Sequence, residues 1–554
     1  MNSPLLSNRT YFFLFSLLGL VYIAGLFVPL MDNDSGHHAN IALRMYLTGD
    51  YVTLFDHRGD YIDKPHFLFW TSALSYHIFG VTSFAYRFPS FLFTILGTYS
   101  IFRLGKELYD HEIGKLASLI AASSFCYMLA NNDVRMDAIL TAAIAFATWQ
   151  LIAFVHQRRF IFLIGAALGL AIGFCTKGHV GLVTPVAGIF FYILYKKDWK
   201  LLFDWRWLIV IFFFAIFVSP VVYCYYLQFN LHPEKISQGM KGVDGVKYIL
   251  WSHSFDRISG HERFGKVGQQ DHFFFLHTFL WTFAPWCFVA LVGVVIRLKN
   301  FFDAKTEWLS TGVFVMLAAL INFSNFKLPH YMPILAPATA LIVAHLFVSK
   351  WGHEKWRRAF YIIQLIASLP LLAAAALVNA WAFPVKNSWV LIGLIFFLSV
   401  VFYFLLSKMY SQIQRSITVS VATIGLFFFL LNTNFYPQLL TYQGGKPLAD
   451  KTRGVVDPKD VYFWTNTFSS TYNFYSASNR QVYSDSSKQT GKNFWLIYEK
   501  SQQPEVDSLG LVFGKTFSVP DYEITRLKKS FLDPATRTQT LDSMIMKEVI
   551  GRKN

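Results

Sequence analysis

This sequence is short of charge. Of its 554 residues only 15% are Asp, Glu, Lys or Arg, while 54% are hydrophobic and 18% aromatic; a soluble globular chain carries roughly 25% charged residues. Together with a mean hydropathy of +0.39, that deficit excludes a soluble enzyme and a disordered chain and leaves a polytopic membrane protein. Cysteine is scarcer still, at four residues. Cys126, Cys175, Cys224 and Cys287 each lie in an apolar segment with no partner at disulfide or metal-ligand spacing, so they are expected to be buried small hydrophobes. No glycine-rich phosphate loop of the P-loop or Rossmann kind is present, which argues against a nucleotide cofactor. No internal repeat or low-complexity tract is evident. Acid is scarcer than base, giving a formal net charge of +16. The basic residues nevertheless fall in short clusters between apolar runs, as topology determinants do, so nucleic acid is not an expected partner.

What is abundant is apolar sequence of membrane-spanning length. A helical crossing takes about 20 mostly apolar residues, and by that measure there are thirteen candidate spans: 11–31, 84–103, 115–131, 138–155, 160–176, 179–195, 207–227, 273–296, 308–324, 330–348, 359–379, 389–407 and 416–433. The run from Tyr11 to Met31 is long for a signal-peptide core and shows no small-x-small cleavage site, so it is expected to stay as the first helix. With the N-terminus inside, the inner loops carry clusters such as Arg103, Lys106 and Lys115, or Lys196, Lys197, Lys200 and Arg206. The positive-inside rule then holds through every loop and puts the C-terminus outside.

The expected architecture is an all-α polytopic membrane domain over residues 1–435 and a small α/β soluble domain over 436–554, packed on the outer face. Two outer loops are long, 32–83 and 228–272. In the first, IALRMYL and FLFWTSALSYHIFG have apolar residues at helical spacing and polar faces, predicting amphipathic helices in the membrane interface. The second holds Gly239, Gly242, Gly245, Gly260, Gly265 and Gly268, as expected of a loop able to order over a substrate. After Tyr436 the segments VYFWT, RQVYSD, NFWLIYE and LGLVFGKTF read as short strands between turns.

Ionisable residues at a bilayer edge are functional candidates by default, and here they gather on the outer side. They are Asp34, Asp63 and Lys64 in the first loop, Asp133, Arg135 and Asp137 before the fourth span, and Lys177 with His179 between the fifth and sixth. His253, Asp256 and Arg257 lie in the second loop, and Lys327, His330 and Tyr331 precede the tenth span. A carboxylate can act as base toward an incoming hydroxyl, while Lys and Arg neutralise a phosphate leaving group. Acids beside cations at a membrane lip therefore suit transfer of a group from a phosphate-linked lipid. Interface-snorkelling cations and helix-capping acids are the structural alternative. Asp137 stands where it could cap the fourth span or touch substrate, and Lys177 where it could meet a phosphate or bridge to Asp137.

PLMDNDSGHHA, YIDKPHFLFW, FAYRFPS, DVRMDAILTA, CTKGHVGLVTP, HSFDRISG and FKLPHYMPILAPATALI occur in an order that resembles the GT-C membrane glycosyltransferases, specifically the branch of lipid A aminoarabinose transferases and their protein O-mannosyltransferase relatives. The resemblance covers the whole membrane part. It implies a transferase that moves a sugar, with inversion, from a polyprenyl-phosphate donor to an outer-face acceptor, a lipid A-like glycolipid or another glycan or protein. It also implies a monomer in a bacterial inner membrane, N-terminus cytoplasmic and C-terminal domain periplasmic. Asp34 matches the catalytic first-loop acid of an Asp-Glu-x-x-Tyr pattern, although Ser35 and His38 replace the Glu and Tyr, and Asp32 is a rival. Lys64 matches the lysine that binds the donor phosphate, with Tyr61 beside it. Arg257 and Tyr331 match further phosphate contacts, and Asp137 and Lys177 line the same cavity. Asp63 replaces a Glu that joins a second-loop His, here His253, in holding a zinc-like divalent metal; His37, His38 and His272 are the available third ligands. The competing function is a transporter or flippase of polyprenyl phosphate or another anionic lipid, but its inverted repeats and mid-membrane charges in both halves are missing here.

Overall fold

A computed structural model of the chain describes residues 5–237, 239–252, 271–303, 306–324, 327–465, 467–478, 483 and 493–552. Each of the thirteen apolar segments is largely helical where described, although residues 27–31 of the first, 123–124 of the third and 283–286 of the eighth are not. Among the described residues eight helices are long and apolar enough to cross a membrane, or nine if a helix pair bent by 52° counts as one span, and two more apolar helices are shorter. The nine N-terminal helices that matter for the site are α1 (Asn8–Leu26), α2 (Asp34–Thr48), α3 (Phe67–Phe79), α4 (Ser83–Leu108), α5 (His111–Ala122), α6 (Phe125–Asn132), α7 (Asp137–Gln157), α8 (Phe160–Lys177) and α9 (Val180–Lys196). The bent pair is α5 and α6. The segment expected over 273–296 forms two helices, Phe274–Thr282 and Cys287–Lys299, because Pro285 lacks the amide hydrogen that would continue the first.

Local chemistry sets the element ends. The Ser7 hydroxyl caps α1 by accepting from Thr10 N, Asn33 caps α2 by accepting from Ser35 N at 2.8 Å, and Thr82 caps α4 from Ala85 N at 3.1 Å, each satisfying an otherwise orphaned amide. Helices then pack through small residues, since in lipid close backbone approach replaces the hydrophobic effect as the source of cohesion. A Cβ on Gly105 of α4 would lie 2.8 Å from Gly114 Cα of α5, so a side chain at either position would force the two helices apart.

The first loop folds as two helices, α2 and α3, joined by a hairpin of β1 (Phe55–Asp56) and β2 (Gly59–Asp60). A second short hairpin pairs β3 (Ile236–Ser237) with β4 (Met240–Lys241), and Lys235 reaches back from it to Asp60 at 3.0 Å. The C-terminal sheet consists of β5 (Val461–Phe463), β6 (Phe494–Glu499), β7 (Leu511–Asp521) and β8 (Asp542–Arg552), in the order β5-β6-β8-β7. β5 and β6 run parallel and β8 is antiparallel to both its neighbours.

The sheet domain is clasped to the first loop by Asp32. Its carboxylate accepts from Ser469 Oγ at 2.5 Å, Ser470 N at 2.9 Å and Thr471 Oγ1 at 2.9 Å, while its own amide donates to Gln443 Oε1 at 2.6 Å. Burial raises the Asp32 carboxyl above its ordinary range although these donors pull it down. Asp32→Ala is expected to cost about 2–3 kcal/mol, the scale of hydrogen bonds to a charged group. It should also expose the 436–460 connection to limited proteolysis; a digestion pattern identical to the parent would mean that the clasp does not hold the domain.

Candidate active site

Two buried or half-buried constellations stand on the face that carries the first loop. The first is organised by Arg87, in the second turn of α4 and fully buried. Its Nε donates to Asn132 O at 2.8 Å, Nη2 to Pro29 O at 3.1 Å, and Nη1 to Val28 O. A buried guanidinium needs partners for its donors, and these three carbonyls end the segments that lead to Asp34 on one side and to Asp133, Arg135 and Asp137 on the other. Arg87 thereby sets the separation of the acid and the arginine.

Asp34 opens α2, where a carboxylate is favoured by the positive end of the helix dipole. Arg135 Nη1 donates to its Oδ2 at 2.7 Å, and the Asp34 side chain remains 54% exposed. Among the described residues Oδ1 of Asp34 has no hydrogen-bond partner. Arg135 is itself fixed by Asp133, at 3.1 Å to Nε and 3.0 Å to Nη2, and approaches His330 Nδ1 at 3.2 Å; Asn33 donates to the other Asp133 oxygen at 3.2 Å. Partial burial pushes the Asp34 carboxyl up, but Arg135, His38, Lys64 and His37 outweigh it and hold the group below the ordinary carboxylate range. Burial and the neighbouring His37 bring His38 down to about 3, so near neutral pH His38 carries no charge and the permanent cations Arg135 and Lys64 carry the effect.

The second constellation follows from antiparallel packing of α7 on α8. Asp137 is the first residue of α7 and Lys177 the last of α8, so the two meet: Nζ donates to Oδ1 at 2.6 Å, with side chains 10% and 5% exposed for Lys177 and Asp137. Asp137 forms no side-chain cap on α7, whose capping residue is Met136. The bridge is the arrangement formed. Lys177 Nζ also lies 4.5 Å from the centroid of the Tyr331 ring, a cation–π contact. A cavity of about 210 Å³ is lined by Asp133 and Arg135 of the first constellation, Asp137 of the second, and Trp281 and His330.

Lys64 donates to Asp63 at 2.6 Å, and Lys64 is close enough to lower Asp34 electrostatically. Tyr61 is buried, its ring edge-on to His37 at 5.3 Å. His253, Asp256 and Arg257 lie outside the described residues. Of the two ligands expected for a metal at Asp63 and His253, the Asp63 carboxylate is engaged by Lys64. Among the described residues the His, Asp, Glu and Cys side chains that converge as a group of three are instead His37, Asp56 and His57. Asp56 is one of the first loop's ionisable candidates by sequence, whereas Arg87 and His57 are not: Arg87 stands in the quoted FAYRFPS, and its position inside a span is the available signal.

Residues 63–224 match the family model described as dolichyl-phosphate-mannose-protein mannosyltransferase. An undecaprenyl phosphate-alpha-4-amino-4-deoxy-L-arabinose arabinosyl transferase of Pseudomonas aeruginosa is 24% identical over 439 residues, covering 70% of this chain and 75% of that one. The enzyme of the same name from Aeromonas hydrophila is 27% identical over 364 residues, 62% of each chain. Among solved structures, ArnT from Cupriavidus metallidurans bound to undecaprenyl phosphate superposes with a TM-score of 0.73 at 14% identity, covering 98% of both chains, and its apo state with 0.70 at 16%.

Proposed function

We infer that this chain is a GT-C membrane glycosyltransferase of the aminoarabinose-transferase and protein O-mannosyltransferase superfamily, and we propose that it moves a sugar from polyprenyl phosphate to a lipid acceptor. The observation that carries the proposal is the half-exposed Asp34 held by Arg135, with Lys64 near enough to lower it, while Arg135 and the Lys177-bridged Asp137 line one cavity. Asp34 Oδ1 is placed to accept a hydrogen bond from an acceptor hydroxyl and orient its oxygen toward the anomeric carbon. The low proton affinity of Asp34 makes it an orienting acceptor first and a proton acceptor late in the transition state. Lys64 and Lys177, joined by Arg257 of the second loop, take the developing charge on the departing polyprenyl phosphate, and Tyr331 holds the Lys177 ammonium in place.

Attack opposite the leaving phosphate is a single displacement, so the anomeric configuration inverts. A lipid donor explains why the cations stand at the membrane edge and why no nucleotide loop exists. The residues divide into a membrane domain, 1–435, and a sheet domain, 436–554, which on this proposal lies on the periplasmic side of a bacterial inner membrane with the N-terminus in the cytoplasm. The names of the relatives make 4-amino-4-deoxy-L-arabinose the first sugar to try and a lipid A-type glycolipid the first acceptor. Purified protein in lipid nanodiscs should convert undecaprenyl phosphate-linked aminoarabinose and the glycolipid into equimolar free undecaprenyl phosphate and a glycolipid heavier by one sugar. Movement of the donor between leaflets of proteoliposomes without cleavage of the sugar–phosphate bond would instead make the protein a flippase.

A further inference from the structure

The first loop carries a group of ligating side chains that the transfer chemistry leaves unused. His37 lies on α2 one turn beyond Asp34, while Asp56 ends β1 and His57 begins the turn into β2, a turn that Gly59 closes with φ +115°. The glycine takes a backbone angle that other residues rarely adopt, and so brings the hairpin tip over α2. His37 Nε2 sits 3.1 Å from Asp56 Oδ2, and one ligand atom from each of the three residues lies within 4.8 Å of the other two. His57 Nδ1 is buried and has no hydrogen-bond partner, and its ring stacks on Phe468 of the C-terminal domain at 3.9 Å with planes 13° apart.

The geometry points to a divalent transition-metal site of the zinc class formed by His37, Asp56 and His57, separate from Asp63 and His253. Two imidazoles and one carboxylate are a recurrent donor set for zinc and its neighbours, leaving a fourth position for water or a further ligand. Ligand bonds of about 2.1 Å at tetrahedral angles place donor atoms roughly 3.4 Å apart, close to the spacing that His37 and Asp56 already have. His57 needs to close by on the order of 1 Å, which a turn residue supplies more readily than one inside a helix. Arg58 Nε donates to His57 Nε2 at 3.1 Å; with Nδ1 bound to the ion, the ring proton sits on Nε2 and the exposed arginine turns to solvent. An ion here would fasten the turn of α2 that presents Asp34, the hairpin, and through His57 the ring of Phe468. Its binding does not depend on which reaction the protein performs.

Full-length protein in detergent, stripped of metal and titrated with Co²⁺, tests the assignment. The parent should gain the visible ligand-field absorption of tetrahedral Co²⁺. His57→Ala and Asp56→Asn should each lose one equivalent of bound Co²⁺ with that absorption, while Asp63→Asn keeps it. His57→Cys covers the case in which the alanine variant does not fold: it should retain the ion and add a thiolate-to-cobalt charge-transfer band, distinguishable because the four native cysteines are buried. No absorption in the parent, a spectrum unchanged in His57→Ala, or a folded His57→Cys protein without the new band overturns the site.

Discussion

Asp34→Asn is expected to lower turnover by about 10²–10⁴-fold, the range spanned by loss of a positioned acid–base group, with elution and thermal unfolding like the parent. The expectation rests on three features of the carboxylate. It is half exposed, so amide substitution strands no buried charge; Oδ2 is taken by Arg135; and Oδ1 is left to the acceptor. The amide removes the negative charge that turns an acceptor hydroxyl toward the anomeric carbon, while its oxygen still accepts from Arg135. The same geometry sets a pH dependence. Because Arg135 and Lys64 hold Asp34 below the ordinary carboxylate range, its charge is present above that range and is lost only as pH falls through the depressed value. The acid limb of kcat/KM should therefore lie below the ordinary aspartate value of about 3.9, and Arg135→Leu should move it upward. An Asp34→Asn protein with parental turnover would remove the residue from the chemistry, and an acid limb that Arg135→Leu leaves in place would remove the arginine from control of its charge.

Apolar length was enough to read the thirteen helical segments, because in a membrane protein hydropathy and helicity have the same cause: buried backbone in lipid must satisfy its own hydrogen bonds. The helices of the first loop were equally legible from the spacing in IALRMYL and FLFWTSALSYHIFG. β8 was not, since DSMIMKEVIGR mixes charged and apolar residues and owes its strand to β6 and β7 on either side, a decision made by tertiary pairing. Asp32 and Asp34 show the same limit inside the site. They are two positions apart and similar by sequence, yet Asp32 turns to Ser469, Ser470 and Thr471 more than four hundred positions away, three ordinary polar residues with no pattern to announce them. Asp34 turns to Arg135 instead and stays half exposed, so one acid becomes a clasp while the other is left open to a ligand.

Arg87 explains how segments from three parts of the chain hold that difference. Its guanidinium reads no side chain, only the carbonyls of Val28, Pro29 and Asn132, so its role depends on where the backbone ends lie and has no motif of its own. Arg87 stands within the quoted FAYRFPS, yet the spacing it enforces between carbonyls of distant segments is visible only in three dimensions.

The bridge between Asp137 and Lys177 separates a structural role from a functional one more sharply than any single substitution can. Lys177→Met leaves the Asp137 carboxylate buried without its cation, and breaking a buried pair in this way costs about 3–5 kcal/mol. The single variant should therefore lose both transfer activity and thermal stability. Adding Asp137→Asn removes the stranded charge, and because a neutral pair of similar volume replaces a buried ion pair at little cost, the double variant should recover most of the lost Tm. Transfer should not return with it. On the proposed chemistry Lys177 meets the leaving phosphate while Tyr331 stacks beneath its ammonium at 4.5 Å, and methionine offers no charge to take its place. If Tm and turnover recover together in the double variant, the lysine serves only to neutralise Asp137, and the phosphate site must be built from Lys64 and Arg257 alone.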